Sequence, residues 1–173
     1  VIALIAAALF LLQSNIWGGV LTQLSSIVDG VDGDLARLRG SESRFGGFLD
    51  AVLDRYSDVS ILAGLTYSAA VHEELSAHML VWLVGLLAVS GSLIVSYTRA
   101  RGEATLQGSF SGWAFSLASR DIRLFIVMLG SLLGLLWETL LVVALLSHVA
   151  VVGRLIQSRS LAGSSQDAEK GSK

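Results

Sequence analysis

The sequence predicts an all-α polytopic membrane protein, and three observations carry that expectation. Of 173 residues, 53% are hydrophobic and only 15% charged, with a mean hydropathy of +0.69; a soluble globule of this size usually carries about 25% charged residues. The apolar residues come in long runs separated by short polar turns. Arginine and lysine gather at alternate turns, all on one side of the resulting topology. Cysteine and proline are both absent, which excludes disulfides and a thiolate metal site.

Residues 1–12 are uninterrupted apolar sequence, VIALIAAALFLL. About 20 residues are needed to cross a bilayer, so this stretch reads as the second half of a first span, truncated here. It has neither an initiator Met nor a basic leading region and does not look like a signal peptide. Gln13, Ser14 and Asn15 form a polar turn, and a second helix is expected over 16–38. Gln23, Ser25 and Ser26 on that helix should face protein or a water-filled cavity. A turn over 40–43 leads to a third helix over 44–68, with Gly46, Gly47, Asp50 and Asp54 in its opening turns. After a polar patch containing His72 and His78, a fourth span covers 79–97. The Gly- and Ser-rich stretch 102–119 holds Trp113 and Phe115 and suits a short interfacial helix. Residues 121–157 would be roughly 55 Å long as one helix, too long for a single crossing. Two spans fit instead, with the turn near 135–138. The polar tail 159–173 is expected to be disordered.

The arginines test this topology. Arg37, Arg39, Arg44 and Arg55 lie near the facing ends of spans two and three; Arg99, Arg101, Arg120 and Arg123 flank the loop before span five; Arg154 and Arg159 close span six. The opposite turns contain no Lys or Arg. The positive-inside rule then places this side, and the acids beside it, at the cytoplasmic face.

Those acids carry the chemistry. Asp29 and Asp32 stand one turn apart on the second helix, and Asp50 and Asp54 one turn apart on the third, so each pair shares a face. Two such helices facing each other would put four carboxylates around one small volume. Like charges crowded in low dielectric repel unless cations neutralise them. Oxygen donors without cysteine or nearby histidine point to Mg2+ or Mn2+ and away from zinc. A metal pair held this way suits a diphosphate, and a carboxylate left less engaged can take the proton of an attacking hydroxyl. Gly33, Ala36, Gly46 and Gly47 leave room for close approach, and Arg37 could pair with phosphate or with one of the acids. A salt-bridged network that only joins helices would need fewer acids. A channel or divalent-metal transporter would use similar carboxylates and is the alternative from a different class.

The spacing Asp29-x2-Asp32-Gly33-x2-Ala36-Arg37-x8-Gly46-x3-Asp50-x3-Asp54 matches the signature of the CDP-alcohol phosphotransferase (CDP-alcohol phosphatidyltransferase) family without a departure. The chain resembles that family over residues 1–158, apart from the missing start, and the resemblance implies its six-transmembrane-helix fold. It implies transfer of a phosphoryl-alcohol group from a CDP-linked donor to a hydroxyl, with release of CMP. By position, Asp29, Asp32, Asp50 and Asp54 resemble the ligands of two metal ions. Asp54 doubles as the base on the acceptor hydroxyl, and Gly33, Ala36, Arg37 and Gly46 border the CDP moiety. The family resemblance also suggests a homodimer in a prokaryotic cell membrane.

The acceptor is marked more faintly. The run Ser96-Tyr97-Thr98-Arg99-Ala100-Arg101-Gly102-Glu103 resembles a stretch of enzymes that make inositol-phosphate or glycerol-phosphate products. Arg99, Arg120 and Arg123 could form a basic pocket for an acceptor phosphate, or serve only as positive-inside anchors. The sequence around the acids is most similar to the di-myo-inositol-phosphate-phosphate synthase branch, often fused behind a soluble cytidylyltransferase domain. CDP-inositol and CDP-diacylglycerol remain open as donors, and phosphatidylinositol-phosphate and phosphatidylglycerol-phosphate synthases as relatives.

The remaining features read more plainly. His72 and His78 suit a solvated turn, His148 a polar packing contact, and Glu138 a turn. Trp17, Trp82, Trp113 and Trp137 suit interface anchoring. Gly130-x3-Gly134 permits close helix packing, within one subunit or between two. No basic patch with interleaved aromatics supports nucleic-acid binding.

Overall fold

The computed structural model describes residues 1–38, 43–72, 78–106 and 119–171. Among them the only regular structure is helical: α1 (Ile2–Leu11), α2 (Asn15–Leu38), α3 (Arg44–His72), α4 (His78–Leu106), α5 (Arg120–Leu133) and α6 (Leu136–Gly171). Each expected span has its helix. The turn between α1 and α2 is tight, with Gln13 at φ 61° and the Ser14 amide returning to the Leu9 carbonyl at 2.8 Å. The turn between α5 and α6 uses Gly134 in the left-handed region, φ 74°, a C-cap that favours a residue without Cβ.

α4 and α6 pack along each other, α1 lies against α2 and α3, α2 against α5, and α3 against α4. Phe10, fully buried, sits where these contacts meet, and a Cβ on Gly18 or Gly64 would crowd its side chain at 3.0 and 3.2 Å. Lipid tails are as apolar as this core, so association rests on such close packing more than on burial from water. The exterior is correspondingly apolar: Leu86, Leu145, Val149, Val152 and Leu155 are all more than half exposed. Polar groups turn inward, with Thr22, Ser25, Ser26, Ser68, Ser92, Asp58 and Arg123 all buried. That is the inverse of a soluble domain.

Several expectations need correction. Among the described residues, only α4 and α6, over His78–Gly102 and Leu136–Arg159, are both long and apolar enough by themselves to cross a membrane. α2 and α3 have the length but carry the acids, and α5, with 14 residues, is short. α4 runs on to Leu106 in place of ending near Tyr97. Residues 107–118, where an interfacial helix and Trp113 were expected, lie outside the described part. α6 runs on past its apolar segment to Gly171, because extending a formed helix costs far less than starting one. Gly130 packs within the subunit, since a Cβ there would collide with Thr139 across the α5–α6 turn. Arg154 is 5% exposed, donating to the Val95 carbonyl and to Thr98 Oγ1 (3.2 Å), so it joins α6 to α4.

Candidate active site

Three helix segments deliver the site. The C-terminal half of α2 brings Asp29 and Asp32, the opening turns of α3 bring Asp50, Asp54 and Asp58, and the first turn of α5 brings Arg120 and Arg123. Ser119 caps α5, accepting from the Ile122 amide at 3.5 Å, and Asp121 accepts from Ser26 Oγ at 2.7 Å. That second bond pins the start of α5 to α2 beside Asp29.

Arg120 is the centre of the arrangement. Its Nη1 donates to Asp29 Oδ2 at 3.0 Å and stands 3.1 Å from Asp54 Oδ1, while its Nε donates to Asp58 Oδ1 at 3.0 Å. Its Nη2 is buried and has no hydrogen-bond partner among the described residues. Arg123, at 4% exposure, donates from Nη2 to Asp58 Oδ2 at 3.3 Å, and Ser92 Oγ donates to the same oxygen at 3.2 Å. Arg55 reaches Asp54 at 3.6 Å. Asp54 precedes the apolar stretch of α3 that begins at Val59. Burial pushes its carboxyl up to about 6, opposed by Arg120 and reinforced by the neighbouring Asp50 and Asp29 charges.

The structure thus unites some of the expected residues and separates others. Asp29 and Asp54, from different helices, meet on one guanidinium nitrogen. Asp32 and Asp50 are exposed one turn further out, because α2 and α3 touch little. Among the described residues no group of three or more acidic or imidazole side chains is already gathered as a metal site. Gly33 faces open space, and a Cβ on Gly46 would meet only Ser43 Oγ, at 2.9 Å. The side chains of Ala36 and Arg37 lie outside the described part. Arg99 is exposed, whereas Arg123 is buried behind Arg120 and bonded to Asp58.

Asp58 was missed by sequence reasoning, although a signal was present. Asp50, Asp54 and Asp58 repeat every fourth residue, one stripe along α3. Cavities of about 750 and 220 Å3 lie elsewhere, at the turn between α1 and α2 and the turn between α5 and α6, around Asn15, Ser131, His72 and Gly134. His72 and His148 each bond a carbonyl of their own helix, at 2.8 and 2.9 Å, and take no part in the acid site.

The acid site fits a divalent cation. Two carboxylates from separate helices already converge on one positive nitrogen, and every donor is a hard oxygen of the kind that suits Mg2+ or Mn2+.

Comparison with known proteins agrees with this chemistry. The family model described as CDP-alcohol phosphatidyltransferase matches residues 1–156. A protein of Rubrobacter xylanophilus named bifunctional IPC transferase and DIPP synthase is 42% identical over 139 residues, which is 80% of this chain and 30% of that protein. The archaetidylinositol phosphate synthase of Pyrococcus horikoshii is 35% identical over 158 residues, 91% of this chain and 78% of the relative. The chain therefore spans under a third of the bifunctional relative and most of the archaeal one. Among solved structures, the phosphatidylinositol phosphate synthase of Mycobacterium tuberculosis with manganese and citrate superposes with a TM-score of 0.74 at 29% identity, over 90% of this chain and 76% of the other. The same enzyme with CDP-DAG bound gives a TM-score of 0.72 at 29% identity, over 90% of this chain and 80% of the other. An eight-position motif on α2 and α3, an acid pair closed over a cation and a family match along nearly the whole chain converge: the chain belongs to the CDP-alcohol phosphatidyltransferase family, a family of membrane enzymes.

Proposed function

We propose that the chain transfers a phosphoryl-alcohol group from CDP-inositol or CDP-diacylglycerol to a hydroxyl of a phosphorylated polyol such as inositol phosphate, releasing CMP. The observation that carries this reading is the meeting of Asp29 and Asp54 on one cationic nitrogen, inside the eight-position motif. The inositol part is supported by relatives from two separate lineages whose names include inositol phosphate synthesis.

Asp29, Asp32, Asp50 and Asp54 would hold two Mg2+ or Mn2+ ions, with Arg120 moving off the acids toward phosphate. Divalent ions so held supply charge neutralisation for the donor diphosphate. Gly33, Ala36, Arg37 and Gly46 border the cytidine diphosphate, the open face at Gly33 leaving space for it. Asp54 accepts the proton as the acceptor oxygen bonds to the phosphorus that carries the donor alcohol. The bond from that phosphorus to the bridging oxygen breaks, and CMP leaves with the electron pair. Arg120, with its unpartnered buried Nη2, and exposed Arg99 would bind the acceptor phosphate, with Arg123 supporting Arg120 from behind. The protein works as a multi-pass homodimer with this site at the cytoplasmic face of a prokaryotic membrane.

The test offers purified protein CDP-inositol, CDP-diacylglycerol or CDP-glycerol with inositol phosphate, inositol or glycerol 3-phosphate, and measures CMP. CMP should appear only with divalent metal and an inositol-phosphate acceptor. Metal flux into sealed vesicles without nucleotide, and no CMP in any combination, would favour the transporter alternative instead.

A further inference from the structure

Asp58 lies one turn deeper along α3 than Asp54 and is 2% exposed. A carboxylate so buried persists only with charged or hydrogen-bonding partners, and Asp58 has three: Arg120 Nε at 3.0 Å, Arg123 Nη2 at 3.3 Å and Ser92 Oγ at 3.2 Å. They come from α5 and α4, so the group joins three helices at one point. The geometry is asymmetric in a useful way. Asp58 engages Nε of Arg120, which leaves Nη1 for Asp29 and Asp54 and Nη2 without a partner. Arg123 and Ser92 bond the other oxygen, Oδ2, and so hold the carboxylate in that orientation.

We propose that Asp58 is a positioning residue: it tethers the Arg120 guanidinium by Nε so that its two Nη groups can pass between the acid pair and a substrate phosphate. This rests on the proposed reading of Asp29 and Asp54 as metal ligands. It gives Arg123 a place as counter-ion of the tether. With Asp58 anionic, part of the Arg120 charge is engaged from behind, which loosens its hold on Asp29 and Asp54 and lets a divalent ion compete for them. Remove the tether, and Arg120 closes on the acids.

Mn2+ binding to the purified full chain, followed by electron paramagnetic resonance, tests this without any turnover. Asp58→Asn should weaken Mn2+ binding about tenfold. The same change in an Arg120→Gln background should have less than a twofold effect, because the guanidinium it restrains is gone. Equal weakening in both backgrounds would reduce Asp58 to a nearby negative charge and overturn the proposal; so would unchanged binding by a folded Asp58→Asn protein. If that variant does not fold, Ser92→Ala keeps the question open to experiment. It leaves the Asp58 charge intact and removes only one support of its orientation, so Mn2+ binding should weaken two- to threefold with Arg120 present and not with Gln there. No shift in either background would refute the tether. The CMP assay reports separately on the transferase reading, so failure of one is distinguishable from failure of the other.

Discussion

Arg120 stands where three carboxylates from two helices converge, with Asp29, Asp54 and Asp58 all within 3.1 Å of its nitrogens. Arg123 shares Asp58 at 3.3 Å and Arg55 lies 3.6 Å from Asp54, so the three acids are balanced by a set of arginines and not by one guanidinium. The proposed base is Asp54, half-buried, with its carboxyl raised to about 6 by burial and bordered by Arg55 and Arg120. Asp54→Asn keeps the shape and removes the proton acceptor. Transfer should fall about 10³-fold, within the range that general bases contribute, while a fluorescent CDP-alcohol still binds; full turnover would remove Asp54 from the role of base. The sequence marked Asp54 by its motif position. It could not mark Asp58 in the same way, because an acid at the next helical turn gains meaning only from the Arg120 and Arg123 that fold against it.

At the scale of elements, glycines do two different jobs. Gly130 lets α5 and α6 approach so closely that a Cβ would collide with Thr139, whereas Gly33 on α2 faces nothing within 4 Å. Gly130→Leu should therefore destabilise the protein by about 1–3 kcal/mol, the usual cost of overpacking, seen as a lower melting temperature in detergent. Gly33→Leu should leave melting nearly unchanged yet weaken CDP-alcohol binding. Equal melting shifts would contradict this division. Helix positions were legible because apolar runs and polar turns alternate along the chain. Helix ends were less so: α4 outruns its apolar segment to Leu106, and α6 its own to Gly171, since propagation past the membrane is cheap once a helix exists.

For the whole molecule, the proposed orientation turns the arginine-rich end of the bundle, where the acid site lies, toward the cytoplasm. The natural absence of cysteine makes the topology directly testable. A cysteine at Ala100, exposed near the arginine-bearing end of α4, should react with an impermeant maleimide only from the cytoplasmic side. One at His72, exposed at the opposite end, should react only from outside. Labelling of both from the same side would break the proposed orientation. The fold also explains how charges are tolerated here. Arg154 and Arg123 are buried at 5% and 4% exposure, each spent on a partner that joins helices, in keeping with the cost of an unpaired charge at such depth.

By itself the sequence determined the helical membrane class, the succession of helices and the family, because hydropathy runs and an eight-position motif are local along the chain. It also named the four acids of the motif. Only the tertiary structure decided which of them meet. α5 starts far from α2 and α3 in sequence, so no spacing rule could place Arg120 between Asp29 and Asp54 or bury Asp58 beneath it. The same folding sent Arg123, one turn from Arg120, inward to Asp58 and left Arg99 exposed, a distinction that depends on which helix face each neighbour covers.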